Sequence, residues 1–440
     1  MKIMFISLGC DKNLSDTEEM LGLLRACGYE FTDDETDAEI IVVNTCCFIN
    51  DAKEESINTI CEMAECKKRY KCNFLIVTGC LAQRYKDEII REIPEVDAVV
   101  GTSSYDTIAD VIKSVIEGNT VTRFMDLDRL PQINADRIVT TGGYYAYLKI
   151  AEGCDKNCTY CIIPKIRGHY RSIPMEKLVA QAEKLAEGGV KELILVAQET
   201  TIYGEDIYGE KSLHLLLRKL CRIKGLFFIR ILYCYPEEIY DELIDTIKTE
   251  KKVCHYLDMP IQHCNDYILK RMGRRTDKKE LMDIIHKLRK SIPDIILRTT
   301  LISGFPGETN EAHRELMEFV DEMEFDRLGV FAYSPEENTP AADFDEQIDE
   351  EVKSDRRENI MELQQDIAFD KSESMIGKEF VAIIEGKVAD ENAYVGRTYM
   401  DAPGVDGYMF ISADDELMSG DLVRVRVTGA SGYDLIGEKI

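Results

Sequence analysis

Nowhere in the chain do eighteen apolar residues stand in a row. A membrane-crossing helix needs about twenty, so the sequence predicts no span. The apolar stretch Met1-Lys-Ile-Met-Phe-Ile-Ser-Leu-Gly-Cys10 is too short for a secretory signal. Tryptophan is absent and positive charge is scarce: 54 Lys plus Arg face 82 Asp plus Glu, a formal net charge of −28. That balance argues against bulk binding of nucleic acid, because phosphate contacts need fields of Lys and Arg. It suits a basic partner drawn in electrostatically, or simply a solvated acidic surface. A disulfide framework is also missing, since the fifteen cysteines are odd in number and scattered through 440 residues. Reduced thiols without an export signal lead us to expect a cytoplasmic protein.

What the chain does have is a cysteine pattern. Cys154, Cys158 and Cys161 form a C-x3-C-x2-C run within Ala151-Glu-Gly-Cys-Asp-Lys-Asn-Cys-Thr-Tyr-Cys-Ile-Ile163. Three thiolates can hold three irons of a four-iron four-sulfur cluster and leave the fourth iron open. An open iron can bind a small molecule, which a closed structural metal site cannot. The rival is zinc, which needs a fourth Cys or His nearby. His169 is the only local candidate, at an unusual offset.

The length predicts two or three domains, and the pattern divides the chain at residues 1–130, 140–370 and 371–440. In the first segment, strands at Ile3–Ser7, Glu39–Val43 and Phe74–Val77 alternate with helical stretches such as Ser15–Cys27 and Ala52–Glu65. This order predicts a doubly wound parallel sheet. Each strand runs into a cysteine: Cys10, Cys46 and Cys80. Ligands of open α/β sheets bind beyond the carboxyl ends of the strands. These three residues therefore form a candidate second ligand set, although buried Cys also serves as a small hydrophobe. Cys47 should point away from Cys46 on an extended backbone. Cys27, Cys61, Cys66 and Cys72 read as packing or surface residues.

From Tyr144 the β–α rhythm restarts, with strands at Tyr145–Ala151, Glu192–Ala197, Phe227–Tyr233, Tyr256–Met259, Ile296–Ile302 and Leu328–Tyr333. Six such units predict an incomplete (β/α)6 barrel with its chemistry at the carboxyl ends of the strands. An acidic, helix-prone connector, Gln347–Ser372, leads to five short strands that read as a small OB-like β-barrel. Between 371 and 440, 7 Lys plus Arg oppose 13 Asp plus Glu. An RNA-gripping barrel should be basic, so this one suits a cationic protein surface. A reduced cluster with an open iron can chelate S-adenosylmethionine and cleave it to a 5′-deoxyadenosyl radical, chemistry that side chains cannot supply alone. Tyr160, inside the cysteine loop, is a candidate shield for the adenine.

Across nearly its whole length the chain resembles the radical S-adenosylmethionine methylthiotransferases. The resemblance rests on Cys154/Cys158/Cys161, the remote Cys10/Cys46/Cys80 and the terminal barrel, which is similar to the TRAM domain. The RimO branch is resembled in Ala197-Gln-Glu-Thr-Thr-Ile-Tyr-Gly204, Tyr256-Leu-Asp-Met-Pro-Ile-Gln-His263, the run Arg298–Thr309 and Tyr333-Ser-Pro-Glu-Glu336. The most telling run is Gly396-Arg-Thr-Tyr-Met-Asp-Ala-Pro-Gly-Val-Asp-Gly-Tyr-Met-Phe-Ile411 in the tail. The resemblance implies methylthiolation of the β-carbon of an aspartate in the twelfth small-subunit ribosomal protein. It also implies two four-iron clusters and S-adenosylmethionine acting as both methyl donor and radical source. The six cysteines would be the catalytic metal ligands, and an electron donor would be a further partner. Two departures stand out: Cys47 where the family commonly has Gly, and Glu199 where Asp is usual.

Weaker candidates for cofactor contact are Gln198, Arg298 and the loop at Gly304, each with a structural hydrogen bond or plain turn as its alternative. Lys165, Arg167 and Arg171 form a basic cluster, read either as a solvated face or as a receiver of a substrate carboxylate. Two other functions share these features. One is a MiaB-like tRNA-adenosine methylthiotransferase, and the other is an iron–sulfur redox protein without catalysis.

Overall fold

In the computed structural model, which describes residues 1–133, 135–389 and 392–440, the β–α alternation of the first segment builds a six-stranded sheet. Its strands are β1 (Lys2–Ser7), β2 (Glu30–Phe31), β3 (Ile40–Thr45), β4 (Phe74–Gly79), β5 (Val96–Val100) and β6 (Val121–Arg123). They lie in the order β2-β1-β3-β4-β5-β6 and every pairing is parallel. Both faces must be covered, so β3 is apolar on both. Ile41 and Val43 pack with the helix Asn50–Arg69, while Ile40 and Val42 pack with the helices Asp11–Ala26 and Ile108–Ile116. Burial on both faces is why its run reads as continuously hydrophobic rather than alternating.

The chain forms two units: Met1–Thr140 with Ala151–Ile173 and Glu336–Thr339, and Thr141–Ile150 with Pro174–Pro335 and Pro340–Ile440. The second unit opens with β7 (Tyr145–Lys149). The chain then contributes a short antiparallel pair, β8 (Ala151–Glu152) and β9 (Arg171–Ser172), to the first unit. It continues in the second as β10 (Glu192–Val196), β11 (Phe228–Ile231), β12 (Val253–Asp258), β13 (Ile296–Ser303) and β14 (Arg327–Ala332). These strands pair in parallel in the order β14-β13-β12-β11-β10-β7, and β7 and β14 are not joined. This is the incomplete barrel that the spacing predicted.

The acidic connector is more than a linker. It folds as the helix Glu350–Glu373 and buries one stripe, Lys353, Arg356, Ile360, Gln364, Ala368 and Ser372. Arg356 donates to the Glu308 carbonyl at 2.9 Å and Gln364 to the Phe325 carbonyl at 2.8 Å. Its polar sequence hid that face, because the buried stripe is itself largely polar, with Arg356 and Gln364 donating to backbone oxygens and Lys353 to Glu350.

The tail closes into a barrel of β15 (Glu379–Lys387), β16 (Ala393–Arg397), β17 (Met409–Ser412), β18 (Leu422–Ser431) and β19 (Asp434–Lys439), in the order β15-β16-β17-β19-β18. It shares one apolar core with the central sheet, in which Ile194, Phe228 and Tyr256 meet Met400, Met409 and Val425. A fully buried ion triad joins the two: Glu192 accepts from Arg230 Nε at 2.9 Å and from Arg397 Nη2 at 2.8 Å. Beside it Arg327 pairs with Asp401 at 2.6 Å, and Tyr256 donates to Asp406 at 2.7 Å. The tail run 396–411 thus spends Arg397, Asp401 and Asp406 on docking.

Candidate functional site

Cys10, Cys46 and Cys80 follow β1, β3 and β4, three strands that are neighbours in the sheet. Parallel strands in register end at one edge, so residues dozens of positions apart arrive together. Their closeness is read from Gly9, at φ +84°, where an added Cβ would stand 2.7 Å from Cys46 Sγ. Asn13 ties the edge together, donating to the carbonyls of Leu8 at 3.1 Å and Thr45 at 2.8 Å. Ser56 holds Cys46 by both backbone groups, accepting from its N–H at 3.0 Å and donating to its carbonyl at 2.8 Å. Cys10 also stands at the N-cap position of the sixteen-residue helix Asp11–Ala26, with no capping hydrogen bond from its side chain.

Burial, then repulsion from Cys80 and Cys10, pushes the Cys46 thiol up to about 12. Burial likewise raises Cys80, against the pull of the Arg167 cation. Without a metal these thiols hold their protons, and a bound metal would displace them. Cys47 is fully buried in the apolar core with Ile60, Met63 and Val77. Adjacent residues alternate sides on extended backbone, and the core has taken the second one.

The other set lies in the same unit. Cys154, Cys158 and Cys161 sit in a loop closed by a hydrogen bond from Cys154 N–H to the Gly168 carbonyl at 3.1 Å. Gly153 (φ +76°) is required there, since a Cβ would lie 2.0 Å from the His169 carbonyl oxygen. Burial, then the charges of Cys158 and Cys154, raise the Cys161 thiol. Tyr160 is half-buried in the turn between the second and third cysteines. His169, the zinc candidate, is exposed and bonded through Nδ1 to Asp155 at 2.7 Å. Among the described residues no three His, Cys, Asp or Glu side chains close on a single-ion site. Three thiolates in a set are the donor chemistry of a four-iron cluster with one open iron.

Arg167 departs from the reading of the basic cluster as a solvated face, whereas Lys165 is exposed. Its side chain is buried, with Nη1 on Asp16 at 2.8 Å and on Glu152 at 3.2 Å. Nη2 donates to Asn13 Oδ1 at 2.6 Å and to Cys80 Sγ at 3.5 Å. Arg171 donates to the Arg167 carbonyl at 3.0 Å, and Lys165 to the Asn338 carbonyl at 2.6 Å. Sequence reasoning missed Asn13, Asp16 and Glu152 entirely. Their only signal is position, two to six residues from a ligand-type cysteine.

The remaining candidates lie in the second unit. Gln198 follows β10, and its buried Oε1 has no hydrogen-bond partner among the described residues, as a ligand-holding amide would. The carboxylates that meet Arg298 are the protein's own, Asp258 at 2.8 Å and Asp406 at 3.5 Å. At Gly304 (φ +72°) the space of a Cβ is filled by Lys353, whose Cγ would be 2.3 Å away. The side of Gly304 that a Cβ would occupy faces the helix Glu350–Glu373. Glu199 is fully buried, accepting from the Thr201 N–H at 2.8 Å.

Residues 2–101 match the Uncharacterized protein family UPF0004, 148–320 the Radical SAM superfamily and 376–440 the TRAM domain. The chain is 64% identical over 437 residues to the ribosomal protein uS12 methylthiotransferase RimO of Lachnoclostridium phytofermentans, covering 99% of each. The chain belongs to the RimO methylthiotransferase family. The RimO of Acetivibrio thermocellus is 51% identical over 446 residues, covering 100% of this chain and 98% of that one. Among solved structures, the radical S-adenosylmethionine methyltransferase TsrM from Kitasatospora setae superposes with a TM-score of 0.57 at 13% identity. That match covers 77% of this chain and 73% of that one. It speaks to the fold alone.

Proposed function

We propose that this RimO-family chain methylthiolates the β-carbon of an aspartate in ribosomal protein uS12. Cys154, Cys158 and Cys161 would hold one four-iron cluster, and Cys10, Cys46 and Cys80 a second. The observation that carries the reading is that both three-thiol sets lie in one unit, in a chain matching uS12 methylthiotransferases from end to end. When bound, open-iron clusters and S-adenosylmethionine supply electron transfer, a methyl group and a hydrogen-abstracting radical. The chain's own work is to present thiols and to bury them against water. The β1–β3–β4 edge and the Gly153-pinned loop fix the two sets, and the Gln198 amide is a candidate hold on the cofactor. Tyr160 is a candidate cover for its adenine. The negative tail supports a basic ribosomal protein as partner in preference to tRNA, and an external electron donor completes the reaction.

Intact-mass analysis of uS12 and of tRNA nucleosides from a deletion strain tests the assignment. The uS12 mass should fall by one methylthio group while the tRNA profile stays unchanged. Loss of a tRNA modification with unaltered uS12 would favour the MiaB-like reading instead. Absence of 5′-deoxyadenosine after reduction with S-adenosylmethionine would leave only a redox protein.

A further inference from the structure

A buried arginine is held in place only by partners, and those of Arg167 are divided unevenly. Nη1 takes the two carboxylates, Asp16 at 2.8 Å and Glu152 at 3.2 Å. Nη2 is turned to Asn13 Oδ1 at 2.6 Å and to the Cys80 sulfur at 3.5 Å. Asn13 cannot turn its amide round without cost, because its NH2 group already donates to the carbonyls of Leu8 and Thr45. Those two carbonyls belong to the strand ends that lead into Cys10 and Cys46. Asp16 comes from the helix that follows Cys10, and Glu152 stands two residues before Cys154. The guanidinium is thus braced by the scaffold of both cysteine sets, while its N–H to sulfur goes to the first set. A merely structural ion pair would need the carboxylates and nothing from the thiol.

We propose that Arg167 is a positioning residue that sets the reduction potential of a cluster held by Cys10, Cys46 and Cys80. It would do so by donating a hydrogen bond and a fixed positive charge at the Cys80 sulfur. Iron–sulfur potentials follow net charge, hydrogen bonds to the sulfurs and solvent exposure. Reduction adds one negative charge to the cluster, and a nearby buried cation stabilises the reduced form more than the oxidised one. Charge-assisted hydrogen bonds strengthen in buried surroundings, which adds to the effect. Arg167 therefore raises this potential, and its loss lowers it. The inference rests on the two-cluster reading above.

The test is an anaerobic redox titration followed by electron paramagnetic resonance, in the full chain carrying Cys154, Cys158 and Cys161→Ala so that only the first set can hold iron. In that background Arg167→Gln should lower the reduction equilibrium constant at least tenfold, 59 mV for a one-electron couple. Arg167→Lys, which keeps the charge, should recover more than half of the shift. In the converse background, with Cys10, Cys46 and Cys80→Ala, Arg167→Gln should leave the remaining potential within about twofold of its parent in the same constant. An unmoved potential in the first background, or equal shifts in both, would overturn the assignment. If Arg167→Gln fails to retain iron, the lysine variant decides. Retention at the parent potential supports the role of charge, and loss from both variants refutes it. A first-background parent that binds no iron would sink the two-cluster reading and this inference together. Iron bound at an unshifted potential would sink only the latter.

Discussion

Replacing Gly9 by alanine puts a methyl group where the structure has none to spare. The new Cβ would lie 2.5 Å from Cys46 Cβ and 2.7 Å from its sulfur. Non-bonded carbons prefer roughly 3.5–4.0 Å, so Cys46 must retreat by about 1 Å. The backbone adds a second cost, because φ is +84° at this residue. An L side chain in that region is strained by about 1–2 kcal/mol. Gly28 separates the two effects: its φ is +87° but nothing lies within 4 Å of an added Cβ. Both alanine variants should lower Tm by a few degrees, and only Gly9→Ala should displace a thiol. After anaerobic reconstitution, iron and sulfide per chain should fall by about half in Gly9→Ala and stay full in Gly28→Ala. Full iron in Gly9→Ala would refute the placement of Cys46 as a ligand. Equal losses in both variants would assign the effect to backbone strain.

Three further outcomes follow from the same geometry. Cys46→Ala should lose the iron of one set, while Cys47→Ala should keep it and cost only about 1 kcal/mol of stability as a small core cavity, readable by metal analysis beside a urea melt. Glu192→Gln leaves the buried guanidiniums of Arg230 and Arg397 without their shared anion. It should cost about 3 kcal/mol and speed proteolysis of the tail barrel, and an unchanged cleavage rate would show that the apolar core alone docks it. Burial, reinforced by His313 and Arg356, lowers His263 to about 3, against about 6.5 unfolded. The stability from its neutral burial is complete above pH 6.5 and declines by roughly 1.4 kcal/mol per pH unit down to about pH 3. His263→Gln should flatten that slope in denaturant melts, and an unaltered slope would place the proton uptake elsewhere.

Much of the fold, and the placing of Cys10, Cys46 and Cys80 at the ends of parallel strands, was legible in order and spacing. Parallel β–α units repeat at short range, and Cys10, Cys46 and Cys80 end strands that are neighbours in the sheet, so a period and a punctuation mark suffice. The burial of Cys47 in the apolar core beside Cys46 follows the same local alternation along extended chain. What could not be read was which polar residues are inside. Arg167 stands between two other basic residues and has the composition of a surface turn, yet it is buried against Asp16 and Cys80. Arg298 and Gly304 are candidate cofactor contacts by their place on and after β13, and their neighbours Asp258, Asp406 and Lys353 were not legible in the sequence. The tail run 396–411 carries the family resemblance, and only the structure shows that its Arg397 and Asp401 are docked on the central sheet. Composition and spacing by themselves determined β1, β3 and β4, their parallel sense and the strand ends at which Cys10, Cys46 and Cys80 stand, while β2, β5, β6 and the strand order came from the structure. The tertiary structure alone decided which charges were buried and with whom they paired. A burial cost of several kcal/mol per ion is offset only by partners brought from distant parts of the chain.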